Sequence, residues 1–383
     1  MTEAGQIYNF YLIVTPGFEE IAARELRDWQ VTVEPVLSRG GIEVALPLSE
    51  GLALNRVLKV PTRILMRVAD FGCRDFPKLY KKISNLPWMN WIDDSQPVEF
   101  HATTKTSRLK MKKRIESTCE DGRKFYLKKR GAPAVKPAEA KTEAQTVFVR
   151  FEDDVCFVSL DTSGEILHKR GLRPLSSDAP LRETIAASLL LYLESFGMPK
   201  DGVELVDPMT GGGTFLMEAA GLRGPVSSRK FAFDRWVNQT KEVYRAKTVS
   251  PYTSFVGFEA DAKTRLAAAE NLTGAVGDKP LQLIEADFFS ASPLPRGKKR
   301  WLIANPPYGE RIRVEGRLSE YYERLFVAAE NVVQPERVLF LLPEKIQPLK
   351  LKFPVSWEQV GHIRFSNGGL PVMALVCGRK TST

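Results

Sequence analysis

The sequence has little cysteine and little histidine for a chain of 383 residues. Its four cysteines are far apart and form no CxxC pair: Cys73, Cys119, Cys156 and Cys377. These spacings indicate neither a disulfide framework nor a zinc site, and three histidines are too few for a histidine-rich metal cage. No apolar run reaches the roughly 20 residues that cross a bilayer, and Met1–Asn9 lacks the features of a signal peptide. We therefore expect no metal, no membrane partner and a cytoplasmic location.

Two nucleotide-binding signatures are also missing. The dinucleotide signature GxGxxG would need its third glycine where Leu216 stands. An ATP-binding P-loop would need a GKS or GKT triplet, which the sequence does not contain. The glycine cluster Gly211–Gly213 therefore needs another explanation.

Charge, by contrast, is abundant and uneven. Lys and Arg outnumber Asp and Glu by 55 to 46, which gives a net charge of +9 and an isoelectric point near 9.2. Most of the excess lies between Lys105 and Arg130, where eleven basic residues face three acidic ones. This concentration favours a polyanionic partner, although a modest basic excess alone is common in proteins that bind no nucleic acid.

The front half of the chain mixes short strands and helices. The pattern predicts a strand at Tyr8–Val14, a hairpin of Val31–Leu37 with Gly41–Leu46, and a basic helix at Leu109–Cys119. Gly131–Gln145 is rich in Ala, Pro and charge, a composition that cannot form a core, so we predict a flexible loop there.

From about Leu181 strands and helices alternate. The predicted strands are Val203–Asp207, Ser254–Glu259, Leu281–Glu285, Trp301–Ala304 and Arg337–Leu342, followed by a hairpin of His362–Ser366 with Val372–Cys377. Alternation of this kind predicts a mostly parallel sheet that is covered on both faces and binds ligands at the carboxyl ends of its strands.

The first of these strands ends in an acidic residue and a glycine turn. Asp207-Pro208-Met209-Thr210-Gly211-Gly212-Gly213 leads into a helix that begins at Thr214. Glycines let the backbone approach a ligand closely, and the exposed amides of a helix start favour an anionic group. Any tight strand–helix turn has these properties, so the glycines alone are weak evidence.

Carboxylates at the ends of the next two strands make the pattern more specific. Glu259 ends the second strand and can accept hydrogen bonds from two ribose hydroxyls. Asp287 follows the third strand and can accept a hydrogen bond from an adenine amino group. Successive strand ends thus predict a nucleoside cofactor site, to which we assign Asp207, Pro208, Thr210, Gly211, Gly213, Glu259 and Asp287.

The loop Asn305-Pro306-Pro307-Tyr308 follows the fourth strand. Two prolines stiffen the chain and remove two amide donors, so we expect two outward acceptors, the Asn305 side-chain oxygen and the Pro306 carbonyl. These would grip the N–H groups of an sp² amine and aim its lone pair at a methyl donor, while Tyr308 offers a face to an extruded base. Positioning can contribute up to roughly 7–11 kcal/mol. The alternative is a rigid loop after a buried strand.

Together, the segments Asp207–Thr214 and Asn305–Arg311 resemble the THUMP-containing RNA guanine-N2 methyltransferases. The similarity extends to Leu160–Arg173 and Ala179–Thr184, and in the front half to Gly17–Glu20 and Leu86–Trp91. It therefore covers nearly the whole chain. Two positions depart from the family pattern: Gly212 stands where Ser or Thr is usual, and Thr210 where Cys or Ala is frequent.

The resemblance implies an α/β fold in three parts. These are a ferredoxin-like domain at 1–60, a THUMP RNA-binding domain at 61–165 with the flexible loop at 131–145, and a Rossmann-like class I methyltransferase domain at 166–383. It implies S-adenosylmethionine (SAM) as the cofactor. The implied catalytic loop is Asn305, Pro306, Pro307 and Tyr308. The implied reaction is methylation of the exocyclic N2 amine of a guanine in structured RNA, most naturally 23S ribosomal RNA, with tRNA as the alternative.

RNA contacts are expected from the basic residues. Within the segment from Lys105 to Arg130, our candidates are Lys112, Lys113, Lys128 and Lys129. Arg170 and Arg173 near the junction are further candidates, although they could instead pair with acidic neighbours.

Other readings use the same residues. DNA adenine-N6 and protein glutamine methyltransferases use a similar Asn-Pro-Pro-Tyr loop on a planar amine, but a THUMP-like front half argues for RNA. A non-catalytic RNA-binding factor for ribosome assembly is a further alternative. Intact Asp207, Glu259, Asp287 and Asn305 disfavour it.

Overall fold

The computed structural model describes residues 6–132, 143–170, 181–225, 229–238, 242, 250–309, 317–344, 346 and 351–380. Its chain forms two compact units, neither of which is continuous in sequence. The N-terminal unit comprises Met1–Val14, Arg27–Leu167 and Ser227–Arg245. The C-terminal unit comprises Thr15–Leu26, His168–Val226 and Ala246–Thr383. Division of the N-terminal unit into ferredoxin-like and THUMP parts stays a prediction.

The N-terminal unit is built on one mixed sheet. Its strands are β1 (Ile7–Ile13), β2 (Val36–Ser38), β3 (Gly41–Pro47), β4 (Arg63–Gly72), β5 (Val98–Lys105), β6 (Gln145–Glu152) and β7 (Val155–Asp161). They are ordered β2-β3-β1-β4-β7-β6-β5, and only the β5–β6 pair is parallel among these described neighbours. The helices of this unit are α2 (Leu48–Val57), α3 (Phe76–Ile83) and α4 (Lys112–Lys129). The intervening helix α1 (Glu19–Asp28) belongs mostly to the C-terminal unit.

Alternation along the strands creates the core of this unit. In β6, Val147, Val149 and Phe151 are fully buried while the residues between them are half-exposed, as the two-residue period of a strand requires. Helix α2 lies very close to β1, because a Cβ added at Gly51 would sit 1.9 Å from the Phe10 ring. A larger residue at position 51 would therefore displace the helix from the sheet.

Three front-half boundaries differ from the predictions. The predicted strand Val31–Leu37 is present only from Val36, because Pro35 cannot donate to a strand ladder. Helix α4 continues past Cys119 to Lys129, since Tyr126 and Leu127 bury its last turns. Within the predicted loop 131–145, Gln145 is instead a buried strand residue that donates to the Asp161 carbonyl at 2.8 Å. Residues 133–142 lie outside the described residues.

The C-terminal unit has a second sheet. Its strands are β8 (Val203–Asp207), β9 (Tyr252–Phe258), β10 (Leu281–Ile284), β11 (Arg300–Ala304), β12 (Arg337–Pro343), β13 (Trp357–Asn367) and β14 (Leu370–Arg379). Its helices are α5 (Glu183–Glu194), α6 (Thr214–Gly221), α7 (Ala262–Thr273) and α8 (Leu318–Ala328), which ends in a π-helical turn at Ala329–Val333. The five predicted strands are confirmed to within two residues.

This second sheet has the order β10-β9-β8-β11-β12-β14-β13. Its first five strands run parallel, and their central members β8 and β11 are buried along their whole length. Burial on both faces is the reason that these strands read as continuous apolar runs. β14 pairs antiparallel with both β12 and β13, which confirms the predicted C-terminal hairpin. The second strand of the hairpin, β14, lies next to β12, and the first, β13, lies at the edge of the sheet.

A buried ion pair joins β8 to β11 near their amino ends. The Arg300 guanidinium donates to Glu204 at 2.6 Å, and the Ser254 hydroxyl donates to the other Glu204 oxygen at 2.8 Å. Although burial opposes ionisation, hydrogen bonds from Lys298 and Arg300 lower the pKa of Glu204. This pairing satisfies both charges inside the sheet and holds β8 and β11 in register.

Residues 229–238 follow α6 in the chain but pack in the N-terminal unit. The indole of Trp236 donates to Gln145 at 2.9 Å, and Val237 N–H donates to the Trp91 carbonyl at 3.0 Å. Arg56 lies over the Phe231 ring at 4.9 Å and pairs with Asp234 at 3.0 Å. The N-terminal unit is therefore completed by a segment that the sequence order places in the second half.

No helix in the described part of the chain is both long and apolar enough to cross a membrane. All four cysteines lie among the described residues and are buried and free. Burial raises the pKa of the Cys377 thiol to about 12, which keeps this thiol protonated and unreactive.

Candidate active site

The predicted site residues lie at the carboxyl ends of four neighbouring strands. Asp207 ends β8, Glu259 follows β9, Asp287 is the third residue after β10, and Asn305 follows β11. Because β10, β9, β8 and β11 are adjacent in the sheet, these four side chains share one edge. The parallel topology thus brings together positions that are about 100 residues apart in sequence.

The glycine turn after β8 is held by hydrogen bonds and close packing. Thr210 N–H donates to the Phe258 carbonyl, and the Thr210 hydroxyl donates to the Asp207 carbonyl, both at 3.0 Å. Gly213 has a φ of 85° at the start of α6, a conformation that disfavours other residues. A Cβ at Gly257 would lie 2.4 Å from the Thr210 hydroxyl, so glycine in β9 leaves room for the turn.

Glu259 is oriented by two backbone donors. Its Oε2 accepts from Gly211 N–H and its Oε1 accepts from Asp261 N–H, each at 3.0 Å. The carboxylate therefore ties the glycine turn after β8 to the loop after β9. Each carboxylate oxygen has two lone pairs, so the group retains acceptor capacity for hydroxyls.

Asp207 is buried beneath this turn. Its Oδ1 accepts a hydrogen bond from Met209 N–H at 3.0 Å, and its side chain is almost fully removed from solvent. Burial raises the pKa of Asp207 to about 7; the Met209 hydrogen bond opposes this rise and the nearby Glu259 carboxylate adds to it. The charged form of Asp207 is therefore costly in the ligand-free protein, and a cationic or hydrogen-bonding ligand nearby would offset that cost.

A pH-dependent stability follows from Asp207. Its ordinary pKa of 3.8 rises to about 7 on folding, so its contribution to stability is complete below about pH 4 and is lost as the pH rises to 7. Asp207→Asn removes this loss. We expect the variant to gain unfolding free energy relative to wild type by roughly 1.4 kcal/mol per pH unit across this window, with no further gain above it. Urea unfolding of the ligand-free protein at pH 5, 6, 7 and 8 measures this; a difference that does not change with pH contradicts the assignment.

Aromatic side chains that sequence reasoning did not single out extend the site beyond Asp287. Asp287 is exposed and accepts from Phe289 N–H at 3.1 Å. The Phe289 ring meets Tyr321 of α8 edge-on at 5.3 Å, and the Tyr321 hydroxyl contacts the Met209 sulfur at 3.4 Å. These contacts connect the β10 end to the glycine turn through α8, a link that no local motif reveals.

The loop after β11 places Asn305 and Tyr308 in direct contact. The Tyr308 hydroxyl donates to Asn305 Oδ1 at 2.6 Å. Burial raises the pKa of Tyr308 to about 12, and a hydrogen bond with Asn367 at the β13–β14 turn opposes this rise. Pro306 is buried, and no backbone N–H of the described residues donates to its carbonyl. The predicted acceptor on Asn305 is therefore capped by Tyr308 in this structure.

This edge suits a nucleoside cofactor with a cationic centre. It offers a carboxylate in Glu259, a buried acid in Asp207 and a glycine turn at the start of α6, while Gly211 leaves open space where a side chain would stand. Within the described residues no group of three His, Cys, Asp or Glu side chains could hold a metal ion.

The candidate RNA contacts have three different placements. Lys112 and Lys113 at the start of α4 and Lys128 and Lys129 at its end are all exposed, as expected. Arg170 is a correction: it is 4% exposed and pairs with buried Glu218 at 3.0 Å, so it has no surface for RNA. Arg173 lies outside the described residues.

A parallel sheet with an antiparallel C-terminal hairpin, a glycine turn after β8 and acidic residues after β9 and β10 define the class I methyltransferase fold. Comparison with known proteins gives the family. The model of the RMKL-like methyltransferase domain matches residues 170–371, more than half of the chain. The chain belongs to this family of SAM-dependent methyltransferases, which confirms the predicted fold, family and cofactor class. The match starts at residue 170, so a THUMP domain in the front half stays a prediction.

Curated relatives cover most of this chain but are longer than it. The chain is 29% identical over 342 residues to the ribosomal RNA large subunit methyltransferase K/L of Vibrio parahaemolyticus serotype O3:K6, a match of 82% of this chain and 46% of that protein. It is 28% identical over 396 residues to the protein of the same name from Marinomonas sp., covering 97% and 53%. The chain thus spans about half the length of these relatives.

Solved structures share the fold along the whole chain. A possible methylase from Clostridium difficile 630 matches with a TM-score of 0.82 and 22% identity, over 99% of this chain and 100% of that one. SMU.472, a proposed methyltransferase complexed with SAH, matches with a TM-score of 0.79 and 21% identity, over 99% and 100%. At these identities the likeness concerns the fold.

Proposed function

We propose that this chain transfers a methyl group from SAM to the exocyclic N2 amine of a guanine in structured RNA. The observation that carries the proposal is the Asn305-Pro306-Pro307-Tyr308 loop at the end of β11, on the same sheet edge as Asp207 and Glu259. When bound, SAM supplies an electrophilic methyl group on a sulfonium. The protein's task is then to hold and orient the amine.

Asn305 and the Pro306 carbonyl would accept hydrogen bonds from the two N–H groups of the target amine. Hydrogen bonds from both N–H groups favour an sp³-like nitrogen, whose lone pair points out of the plane of the ring. Transfer would form the N–CH3 bond as the S–CH3 bond of the donor breaks, and the nitrogen would then lose its excess proton to solvent water. No strongly basic side chain is needed to start the reaction. Orientation supplies the rate, in the range that well-placed reactants reach.

Tyr308 would change partners when the base enters. Its hydroxyl occupies Asn305 Oδ1 in this structure, and that oxygen has to become available to the amine. The ring of Tyr308 would then stack on the extruded guanine. Without Tyr308, Asn305 Oδ1 would accept a hydrogen bond from water. The Tyr308 hydroxyl therefore satisfies this oxygen until the substrate amine replaces it.

Ribosomal RNA is the substrate that we favour, with tRNA as the second candidate. The relatives named for ribosomal RNA cover 82% to 97% of this chain, and the front half carries the exposed lysines of α4. Such a substrate would place the protein in the cytoplasm. A role as a non-catalytic assembly factor is disfavoured by the complete set of strand-end carboxylates.

The proposal is tested by supplying purified protein and isotope-labelled SAM to ribosomal RNA and tRNA from a strain that lacks the gene. Mass spectrometry of the digested nucleosides should find labelled N2-methylguanosine in the ribosomal RNA. Label in adenosine in place of guanosine would overturn the guanine assignment. Absence of label from every RNA fraction would instead favour the assembly-factor alternative.

The lysines of α4 predict a salt-dependent affinity. Replacing Lys112, Lys113, Lys128 and Lys129 by glutamine should weaken RNA binding, because each lost phosphate contact lowers the slope of log K against log salt by about 0.7–0.9. SAM affinity should not change. Fluorescence anisotropy at salt concentrations from about 50 to about 300 mM measures this slope. An unchanged slope in the quadruple variant would show that these lysines are a solvated face.

A further inference from the structure

Helix α4 does not stand alone on its surface, because α3 packs directly against it. At the crossing, a Cβ added to Gly122 would lie 2.9 Å from Ile83 and 3.2 Å from the Tyr80 carbonyl. Glycine therefore permits an approach so close that the outer side chains of the two helices form one surface. We call the exposed side chains of α3 and α4 the helix-pair face.

The helix-pair face is strongly basic. Its exposed basic residues are Lys78, Lys81 and Lys82 on α3, and Lys112, Lys113, Arg114, Lys124, Lys128 and Lys129 on α4. Only two exposed acids lie within these two described helices, Glu120 and Asp121, and both are within 4 Å of Lys124. The third acid of α4, Glu116, is turned inward and accepts from Ala102 N–H at 2.8 Å. Helix α3 thus adds three cations that the sequence pattern of α4 does not include.

An exposed aromatic side chain lies within this basic surface. The structure describes all 21 phenylalanines, and Phe125 is the only one of them in the exposed class, with 48% of its surface accessible. Its ring centroid lies 6.0 Å from that of half-buried Tyr80 on α3. Nearby on the same pair of helices, the Arg114 guanidinium lies 4.2 Å from the Phe76 ring.

These features fit one kind of partner. A single exposed apolar residue is common on protein surfaces, but this one is a flat ring beside a second ring, on a pair of helices that carries nine exposed cations. The phosphates of RNA bind to lysine and arginine side chains, whereas an unpaired base can stack on an accessible aromatic face. A protein partner with an acidic surface would use the cations and leave the ring in water. An RNA duplex would also leave the ring unused, because its bases are already stacked.

We propose that the helix-pair face binds RNA at an unpaired nucleotide, whose base stacks on Phe125 with Tyr80 behind it while the lysines of α3 and α4 contact the flanking phosphates. This proposal rests on the proposed function and specifies the substrate further: an RNA that carries a bulge, loop or free end in addition to the guanine that is methylated. Stacking of this kind tolerates every base, since each has a π face.

The test uses the full chain and two RNA probes, a hairpin with a single-nucleotide bulge and the same hairpin with a fully paired stem. Phe125→Ala should weaken binding of the bulged probe by about 5- to 150-fold, the range found for loss of one stacked base, and leave the paired probe within about twofold. The salt slope should stay unchanged, because no cation is removed. Phe125→Tyr keeps the ring and should restore binding of the bulged probe.

Two controls separate stacking from charge and from general surface change. Met111→Ala removes a 63% exposed apolar side chain just before α4 and should leave both probes unaffected. Replacing Lys81 and Lys82 by glutamine should weaken both probes and flatten the salt slope by about 1.4–1.8.

Equal effects of Phe125→Ala on both probes, or no effect on either, would overturn the stacking assignment. Methylation of ribosomal RNA is measured alongside at saturating RNA. If wild type methylates while Phe125→Ala binds the bulged probe normally, the surface proposal fails and the proposed function stands. If wild type binds the bulged probe through Phe125 but labels no RNA, the proposed function fails.

Discussion

Asn305→Ala is expected to reduce the rate of methyl transfer about 100- to 1,000-fold, the cost found elsewhere for removing one preorganised group that stabilises a transition state. Asn305 follows β11 and directs its Oδ1 into the site, where Tyr308 now donates to it at 2.6 Å. Alanine leaves the target amine with one acceptor instead of two. Because the carboxylates that we propose for the cofactor, Asp207 and Glu259, are untouched, SAM affinity should change by less than about threefold. Single-turnover kinetics and calorimetry measure the two quantities.

The matched variant is Tyr308→Phe. It keeps a ring that can stack on the base but removes the hydroxyl that caps Asn305 Oδ1. We therefore expect it to keep most of the activity, whereas Tyr308→Ala should lose it. If Asn305→Ala lowers SAM affinity as much as turnover, then Asn305 belongs to the cofactor site and the division of roles is wrong.

Glu259→Ala is expected to weaken SAM binding about 10- to 150-fold, which corresponds to the loss of charged hydrogen bonds worth about 1.5–3 kcal/mol. The carboxylate stands at the end of β9, oriented by Gly211 and Asp261 N–H groups. In the proposed cofactor site these hydrogen bonds would present it to two ribose hydroxyls without further ordering. Glu259→Gln should have an intermediate effect, since it keeps one oxygen acceptor but loses the charge.

A neighbouring acid supplies the control for this variant. Glu285 directly follows β10, is exposed and pairs with Arg265 at 2.7 Å. Glu285→Ala should leave SAM affinity within about twofold, because surface ion pairs contribute little. Calorimetry on both variants gives the comparison, after thermal melting has checked that each is folded. Equal affinities for wild type and Glu259→Ala would place the cofactor elsewhere.

The sheet and the site edge were predictable from the sequence because they depend on local patterns. Buried parallel strands appear as apolar runs, and each run ended in the residue that the fold puts at the ligand edge: Asp207, Glu259 and Asn305. Chain topology then brings these ends together without further information. The assignment of ligand roles to these residues remains a prediction.

The features that were missed depend on contacts distant in sequence. In the sequence, Arg170 is a basic residue near a junction. In the structure it forms an ion pair with Glu218 of α6 in the interior. A pattern of charges along the chain does not reveal which acidic and basic residues pair with each other. Likewise, the capping of Asn305 by Tyr308 depends on a rotamer, and the link from Tyr321 to Met209 depends on how α8 packs. The contribution of α3 to the helix-pair face depends on one glycine at a crossing, Gly122.

The discontinuous N-terminal unit has a consequence for synthesis of the chain. Ser227–Arg245 belongs to this unit and ends 78 residues beyond Leu167, and Trp236 within it donates to Gln145. At about 5–20 residues per second, the unit waits roughly 4–16 s for its last segment. During that time β8 is the one described strand of the second sheet to be made, and β9 to β14 follow only after Arg245. A gene fragment that stops at residue 167 therefore encodes an incomplete unit.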